Sequence, residues 1–421
     1  MSTLSAEQTQ TILQQEKRNL FHLVADIAWF GLAIPSMGSF LSVYFINLGA
    51  TALDMGLLSA LPAIFMLLGT FLTNPWARRF PDSRQALILP TFVMRLRILL
   101  LAFIPFLPPE WRIPAALGML ALLALSNSVA GVVFLVLMQE AVTVRRFTQL
   151  LSQRQLALNI GIAISTLALG FWLERVAFPL NYQVMFVASF LFTLVSMWHA
   201  MQIRPLPEAE TPAPPTEEVP ARPVNAWREG SFRGIAGVLG FVFIGYFSIL
   251  PVIPLRLVND LGATEGFIAL YSLLELCGAA TMAYFAYRLV ERFGHQAVIR
   301  ACMTVTGLTA LILALAPSLY FTLPAALING AAWVGTDVSQ FSFFRKVMGS
   351  ANKTAYTNAY YQMLSLVSFV GPLIGSTLAS WGLSLEVVLL VGAALRVIAG
   401  WAISFYHPAD AAPDLQQAPA T

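Results

Sequence analysis

The sequence predicts an all-α polytopic membrane protein, with twelve transmembrane helices in two six-helix bundles related by an internal repeat. Three observations carry this prediction. Of 421 residues, 58% are hydrophobic and only 11% charged, against roughly 25% charged in soluble domains, so the bilayer must be the solvent. Twelve apolar stretches, each near the ~20 residues that cross the hydrocarbon core, fall at about 21–46, 54–77, 86–107, 112–138, 154–174, 181–203, 233–258, 263–287, 297–315, 319–345, 355–380 and 384–406. The third is the recurrence of Leu48-Gly49-Ala50-Thr51 as Leu261-Gly262-Ala263-Thr264, an offset of 213 (261 − 48). The same offset carries Ser59 onto Ser272 and Arg79-Phe80 onto Arg292-Phe293.

The elements follow in order. The first twenty residues are polar, and the first apolar span is too long for a signal-peptide core, so no cleavable targeting segment is expected. Pro35 interrupts span one, and Pro251 and Pro254 interrupt span seven, its counterpart; interrupted helices in matching places mark the moving parts of duplicated transporters. After each of these spans the repeated turn has a physical rationale. Gly49 and Gly262 can take the left-handed conformation that ends a helix, and Thr51 and Thr264 can cap the next helix through their hydroxyls. Between spans six and seven, Pro205 through Pro223 is rich in proline and glutamate, the composition of an extended, disordered linker. The predicted organisation is a bundle over 1–203, a cytoplasmic linker over 204–232, a second bundle over 233–407 and a disordered cytoplasmic tail over 408–421.

Basic residues concentrate on one side of the predicted membrane. That side holds Lys17, Arg18, Arg78, Arg79, Arg145, Arg154, Arg204, Arg288, Arg345 and others, and the opposite side only Arg112, Arg175 and Arg256. The positive-inside rule then puts both termini in the cytoplasm. Topology explains these charges better than nucleic-acid binding, which needs a clustered patch. Cys277 and Cys302 lie in or beside spans, so a disulfide framework is not expected. The four histidines are read as isolated, no Cys/His ligand cluster occurs, and there is no P-loop. No enzyme chemistry, metal, cofactor or ATP use is therefore expected. Gly234, Gly237 and Gly240 mimic a dinucleotide-binding pattern, but no strand precedes them, so helix packing accounts for them.

Twelve spans, a central linker and a basic loop after spans two and eight resemble the major facilitator superfamily. Its signature in that loop is roughly G-x-x-x-D-R-x-G-R. The second copy holds Tyr287, Glu291, Arg292, Gly294 and His295 at those positions, keeping acid, arginine and glycine. The first holds Asn74, Arg78, Arg79, Pro81 and Asp82, where only the central arginine matches and an Arg78–Asp82 pair at i, i+4 is possible. The resemblance implies a cytoplasmic gate formed by Arg79, Glu291 and Arg292, with Glu140 as partner; the alternative is a solvated basic loop that serves topology alone. It also implies a monomer, with spans one, four, seven and ten lining a central cavity. Drug/proton antiporters of the superfamily carry a Gly-Pro motif in span five and tend to carry an arginine in span four. Span five here, around Gly161 and Gly170, lacks the motif, and span four has Asn127 and Ser128. Gly371-Pro372-x-x-Gly375 in span eleven is common to all subgroups, so none is identified.

Ionisable groups inside a membrane are costly and are functional candidates by default. Glu275 lies twelve residues from either end of span eight (275 − 263 and 287 − 275), near the midplane, and its counterpart in the first half is Pro62. It is a candidate proton-coupling carboxylate, or a structural one neutralised by Arg396. Span ten carries Asn329, Trp333, Asp337 and Gln340 at spacings that place all four on one helical face. We read that stripe as substrate contact, with Trp333 for stacking and Asp337 as a second proton-coupling candidate; packing between helices is the alternative. Asn127 and Tyr246 complete the cavity candidates. Asp26, Arg95, Arg97 and Arg396 are read as structural ion-pair candidates, with only one of Arg95 and Arg97 able to face Asp26, since two residues on a helix are about 200° apart. Arg396 is too deep to reach water and is expected to find an acidic partner. Asn358, Tyr360, Tyr361 and Gln362 open span eleven as an inner vestibule or an interfacial aromatic belt.

The expected function is that of a secondary active transporter of the plasma membrane, moving a small organic solute by alternating access coupled to a proton or other ion gradient. The alternative is a transporter-like fold used for lipid or pigment handling, or for assembly of membrane complexes.

Overall fold

The computed structural model describes residues 6–206, 226–348 and 353–406. Most of the predicted linker (207–225) and the predicted tail (408–421) lie outside the described residues. Every regular element among the described residues is helical. Helix α1 runs Ala6–Met37 and resumes as Ser39–Asn47; α2 is Ala52–Ala77, α3 Ser83–Leu101, α4 Pro109–Ala141, α5 Val144–Arg175 and α6 Leu180–Met201. Then follow α7, Gly230–Phe247 with a continuation over Val252–Leu255, α8 Glu265–Phe293, α9 His295–Leu315, α10 Thr322–Met348, α11 Lys353–Ser380 and α12 Leu385–Ala402.

Among the described residues twelve helical segments match the twelve expected spans, yet only ten of them qualify as spanning by length and apolarity. The exceptions are α3, with Arg84, Arg95 and Arg97, and α10, with Asn329, Asp337 and Gln340. The three arginines leave α3 too charged, and the polar side chains of α10 lower its mean hydropathy. Elsewhere, Phe71, Leu122, Leu156, Ile164 and Ile398 stay exposed, as side chains facing hydrocarbon rather than water would.

Local chemistry explains the punctuation. Gly49 and Gly262 have φ of 91° and 72°, the left-handed conformation that glycine adopts without a Cβ penalty. Thr51 donates from N and Oγ1 to Asp54 Oδ2 at 2.8 and 2.7 Å, and its hydroxyl accepts from Asp54 N at 3.3 Å, a reciprocal N-terminal cap. Thr264 accepts from Phe267 N at 3.3 Å in the other copy. The helix breaks also correspond. Helix α1 is interrupted at Gly38, three residues past Pro35, and α7 stops before Pro251 and ends in a π-turn over Arg256–Asp260. The offset of 213 carries position 38 onto 251.

The described chain forms two compact units. One falls within 1–50, 61–218 and 264–270, the other within 51–60, 219–263 and 271–421. In the first unit, α1 packs on α5 and α6, and α3 on α4 and α6, around a core that includes Leu23, Leu87, Val133, Leu137 and Leu150. In the second, α9 packs on α10 and α12, and α7 on α11 and α12, around Phe232, Leu239, Phe243, Ile299, Met303 and Phe344.

Candidate functional site

In the second unit, two glycines bring a membrane-depth carboxylate against its partner. A Cβ on Gly278 of α8 would lie 1.9 Å from Leu327 O, and one on Gly330 of α10 would lie 2.0 Å from Glu275 O. The two helices therefore cross in backbone contact, as small residues permit in membrane bundles. At that crossing Asn329 Nδ2 donates to Glu275 Oε1 at 2.7 Å, and Thr309 Oγ1 of α9 donates to Asn329 Oδ1 at 3.3 Å. Glu275 makes no ion pair among the described residues, which leaves a carboxylate held by an amide alone.

Aromatic and cationic groups pack close by. Trp333 stacks on Tyr246 of α7 with centroids 3.8 Å apart and planes at 19°, while Phe243 and Phe247 approach the indole at 6.1 and 5.7 Å. Arg396 of α12 is fully buried. Its Cζ lies 4.5 Å from the Tyr246 ring centroid, and it donates to Tyr246 O at 2.8 Å and Thr306 O at 3.1 Å. The expected acidic partner is thus not what neutralises Arg396 locally; backbone carbonyls and a π-face serve instead. The Tyr271 hydroxyl of α8 is also buried, without a hydrogen-bond partner among the described residues.

The span-ten stripe does not share one environment. Asn329 is buried in the network above, Trp333 is half-buried against α7, and Gln340 is fully buried with neither Oε1 nor Nε2 partnered among the described residues. Asp337 is exposed and lines a cavity of about 550 Å³ with Phe341, Arg345, Tyr360 and Tyr361. Helical spacing puts the four on one side of α10, but that side meets different neighbours along its length.

The first unit holds a second polar cluster, and it corrects the expected pairing. Asp26 Oδ2 accepts from Arg154 Nη1 at 3.2 Å and Nη2 at 3.3 Å, and its Oδ1 accepts from Ser196 at 2.7 Å. Arg154, read as a cytoplasmic loop charge, is a buried residue of α5. Arg95 donates to Ser196 Oγ at 2.9 Å, Thr193 O at 2.7 Å and Thr91 O at 3.1 Å, so it reaches Asp26 only through a shared serine. Arg97 makes no ion pair, and its buried Nε has no partner among the described residues. A cavity of about 190 Å³ is lined by Asp26, Arg95, Asn127, Phe134 and Arg154; Asn127 is half-buried, with Nδ2 3.7 Å from Met66 Sδ.

The expectation for the histidines changes. His22 and His199 are not isolated: their Nδ1 atoms lie 3.0 Å apart. Of the gate candidates, Glu140 accepts from Ser83 within the first unit, and Glu291 from Tyr287 at 3.4 Å within α8. Arg79 is exposed and Arg292 lies 5.3 Å from the Phe293 ring centroid. None of Arg79, Glu291 and Arg292 has an ion pair among the described residues, and Asp82 caps Arg84 N at 2.9 Å rather than pairing with Arg78. No group of three or more metal-ligating side chains occurs among the described residues. Sequence reasoning missed Thr309, Ser196, Tyr271 and the role of Arg154. Only Arg154 carried a signal, as a charge opening an apolar stretch.

Long helices in duplicated halves, with polar clusters at membrane depth, define a polytopic helical membrane protein of the transporter class of folds. The model of the Major Facilitator Superfamily matches residues 235–421. A variant of the nucleoside transporter NupG superposes with a TM-score of 0.71 at 10% identity, covering 92% of this chain and 99% of that one. The D-xylose-proton symporter gives 0.68 at 15% identity, with 92% and 97% covered. A bacterial homologue of the iron transporter ferroportin, in an inward-facing state, gives 0.66 at 14% identity, with 94% and 99% covered. In sequence, the multidrug resistance protein MdtH of Aeromonas hydrophila subsp. hydrophila is 26% identical over 160 residues, 38% of this chain. That match spans 39% of the relative's own length. The chain shares its fold with these solved transporters, and the Major Facilitator Superfamily match covers 187 of its 421 residues (421 − 235 + 1).

Proposed function

We propose that the protein is a secondary active transporter of the plasma membrane, with both termini in the cytoplasm, acting as a monomer by alternating access. It moves a small organic solute with an apolar or aromatic face, coupled to protons through Glu275. The observation that carries this reading is the Glu275–Asn329 pair: a membrane-depth carboxylate with an amide donor and no ion-pair partner among the described residues can change protonation without breaking a salt bridge. The stacked Trp333–Tyr246 surface supports a planar or apolar solute, and Asp337, at an open cavity, is the second candidate for coupling. That solved structures of similar fold include a nucleoside transporter and a D-xylose-proton symporter, and that a multidrug resistance protein is similar in sequence over part of the chain, is in keeping with such a solute.

The test has two stages. A thermal-shift screen of purified protein against sugars, amino acids, organic acids, nucleosides and drugs, run beside Asp337→Asn, identifies a stabilising solute by mass action. Proteoliposomes with an imposed pH gradient then compare accumulation by wild type and Glu275→Gln. The variant is expected to keep solute binding and lose gradient-driven accumulation; undiminished accumulation overturns the assignment of Glu275. A second reading, lipid or pigment handling or membrane assembly, draws on the burial of Asn329 and Gln340. Stabilisation by lipids alone, with no response to any water-soluble compound, would favour it.

A further inference from the structure

Two cavities of opposite character meet on the second unit. The first, about 690 Å³, is an apolar groove between α8, α9 and α10 whose walls include Met282, Leu289, Val298, Val305 and Ile328. It follows α8 from Gly278 to Phe293, fifteen residues or roughly 22 Å at 1.5 Å per residue, enough to cross one leaflet of a ~30 Å hydrocarbon core. The second, about 590 Å³, is lined by His295, Gln296, Arg300, Lys346 and Ser404, and it shares Phe293 and Ala297 with the groove. No acidic side chain lines it among the described residues, and neither Arg300 nor Lys346 makes an ion pair there.

The polar walls are fixed by bonds that leave the positive charge unneutralised. His295 Nε2 lies 3.0 Å from Ser342 Oγ, Gln296 Nε2 donates to Tyr406 O at 2.8 Å, and Arg300 Nη1 donates to Ser404 Oγ at 3.2 Å. Exposed aromatic rings surround the junction: Phe293 is 58%, Trp401 52% and Phe405 83% exposed, and Arg300 Cζ sits 4.9 Å from the Trp401 ring centroid. Aromatic rings concentrate at the headgroup level of a bilayer, so the basic pocket lies at that level and the groove descends from it into the acyl region.

We infer that this composite cavity binds one anionic phospholipid from the bilayer, its phosphate between Arg300 and Lys346 and an acyl chain in the groove. Neither Glu275 nor Trp333 lines this cavity, whose deep end reaches the α8–α10 crossing at Gly278, and its occupancy would tie the stability of the second unit to membrane composition.

The test titrates detergent-purified protein with phosphatidylglycerol, phosphatidylcholine or inorganic phosphate and follows the thermal midpoint. Phosphatidylglycerol is expected to raise the midpoint saturably, and the other two are not. Each basic residue beside an anionic lipid contributes about fivefold in affinity, so Arg300→Gln with Lys346→Gln should weaken the response roughly thirtyfold, while Arg300→Lys retains it. If the double variant does not give monodisperse protein, Lys346→Gln alone carries the test, at about fivefold. Cys302 lines the groove, so in a Cys277→Ser background phosphatidylglycerol should also slow its labelling by an apolar maleimide. Equal stabilisation by phosphatidylcholine, an undiminished response in the charge variants, or an effect of inorganic phosphate as large as that of the lipid would each overturn the inference. Solute transport lies outside this readout, so failure here and failure of the transport assignment are distinguishable.

Discussion

Substituting Gly330 with alanine should unseat the Glu275–Asn329 pair without touching either residue. The new Cβ would lie 2.0 Å from Glu275 O, whereas real Cβ contacts essentially never fall below 3.0 Å. The obstacle is a backbone carbonyl and cannot rotate away, so α8 and α10 must part locally by at least about 1.0 Å (3.0 − 2.0). The Asn329–Glu275 bond, now 2.7 Å, would stretch to about 3.7 Å (2.7 + 1.0), beyond hydrogen-bonding range. Overpacking costs about 1–3 kcal/mol, and the lost bond adds about 1 kcal/mol, for a total of about 2–4 kcal/mol. Gly237→Ala in α7 is the control, because nothing lies within 4 Å of its Cβ position. There, exchanging glycine for alanine in a helix should be neutral or stabilising by up to ~1 kcal/mol. Thermal unfolding in detergent compares the two variants. If Gly330→Ala is as stable as Gly237→Ala, α8 and α10 do not cross in backbone contact and the geometry argued for Glu275 fails.

Asp26→Asn leaves Arg154 buried without its carboxylate, and breaking one side of a buried pair costs about 3–5 kcal/mol; Asp26→Leu with Arg154→Leu should cost less than the single change in the same unfolding assay. Gln340→Leu should raise the unfolding midpoint, since each unsatisfied buried polar group costs about 1–3 kcal/mol, and a lower midpoint would mean that Gln340 has a partner in the folded protein. Trp333→Phe should lose less stability than Trp333→Ala, for which truncation of a packed tryptophan costs about 3–5 kcal/mol; binding of an aromatic solute, measured by thermal shift, should be lost in the alanine variant.

What the sequence made legible is what the bilayer and the backbone dictate locally. The long apolar runs are forced by hydrocarbon thickness, and the Gly49 and Gly262 turns with their threonine caps obey rules that span only a few residues. Pairing between helices was not legible. Asp26 and Arg154 are 128 positions apart, and only the packing of α1 on α5 brings them together, whereas a facing argument confined to one helix could offer only Arg95 or Arg97. Arg396 escaped for a different reason. Its acceptors are main-chain carbonyls of Thr306 and Tyr246, which no inventory of side chains can display. The α10 stripe shows the same limit from the other direction: a helical period groups Asn329 with Gln340, but which neighbour each meets depends on how far along the helix it sits.

The internal repeat separates scaffold from chemistry. The offset of 213 that superposes the turns carries Asp26 onto Leu239 and Arg154 onto Val367, while Glu275 and Asn329 fall back onto Pro62 and Ala116. Neither polar cluster therefore has a counterpart in the other half. Glycines at turns recur because every hairpin between two helices faces the same steric demand, and that demand is indifferent to what the protein binds. A half-buried carboxylate with no ion-pair partner among the described residues meets no such demand. It costs stability wherever it sits, and one half of this chain does without it at the matching position. The asymmetry itself is thus an argument for a role at Glu275 that the fold does not require. It also predicts that Pro62→Glu, which would place a carboxylate at the equivalent depth of the first half without an Asn329 equivalent, lowers stability and does not restore accumulation to Glu275→Gln.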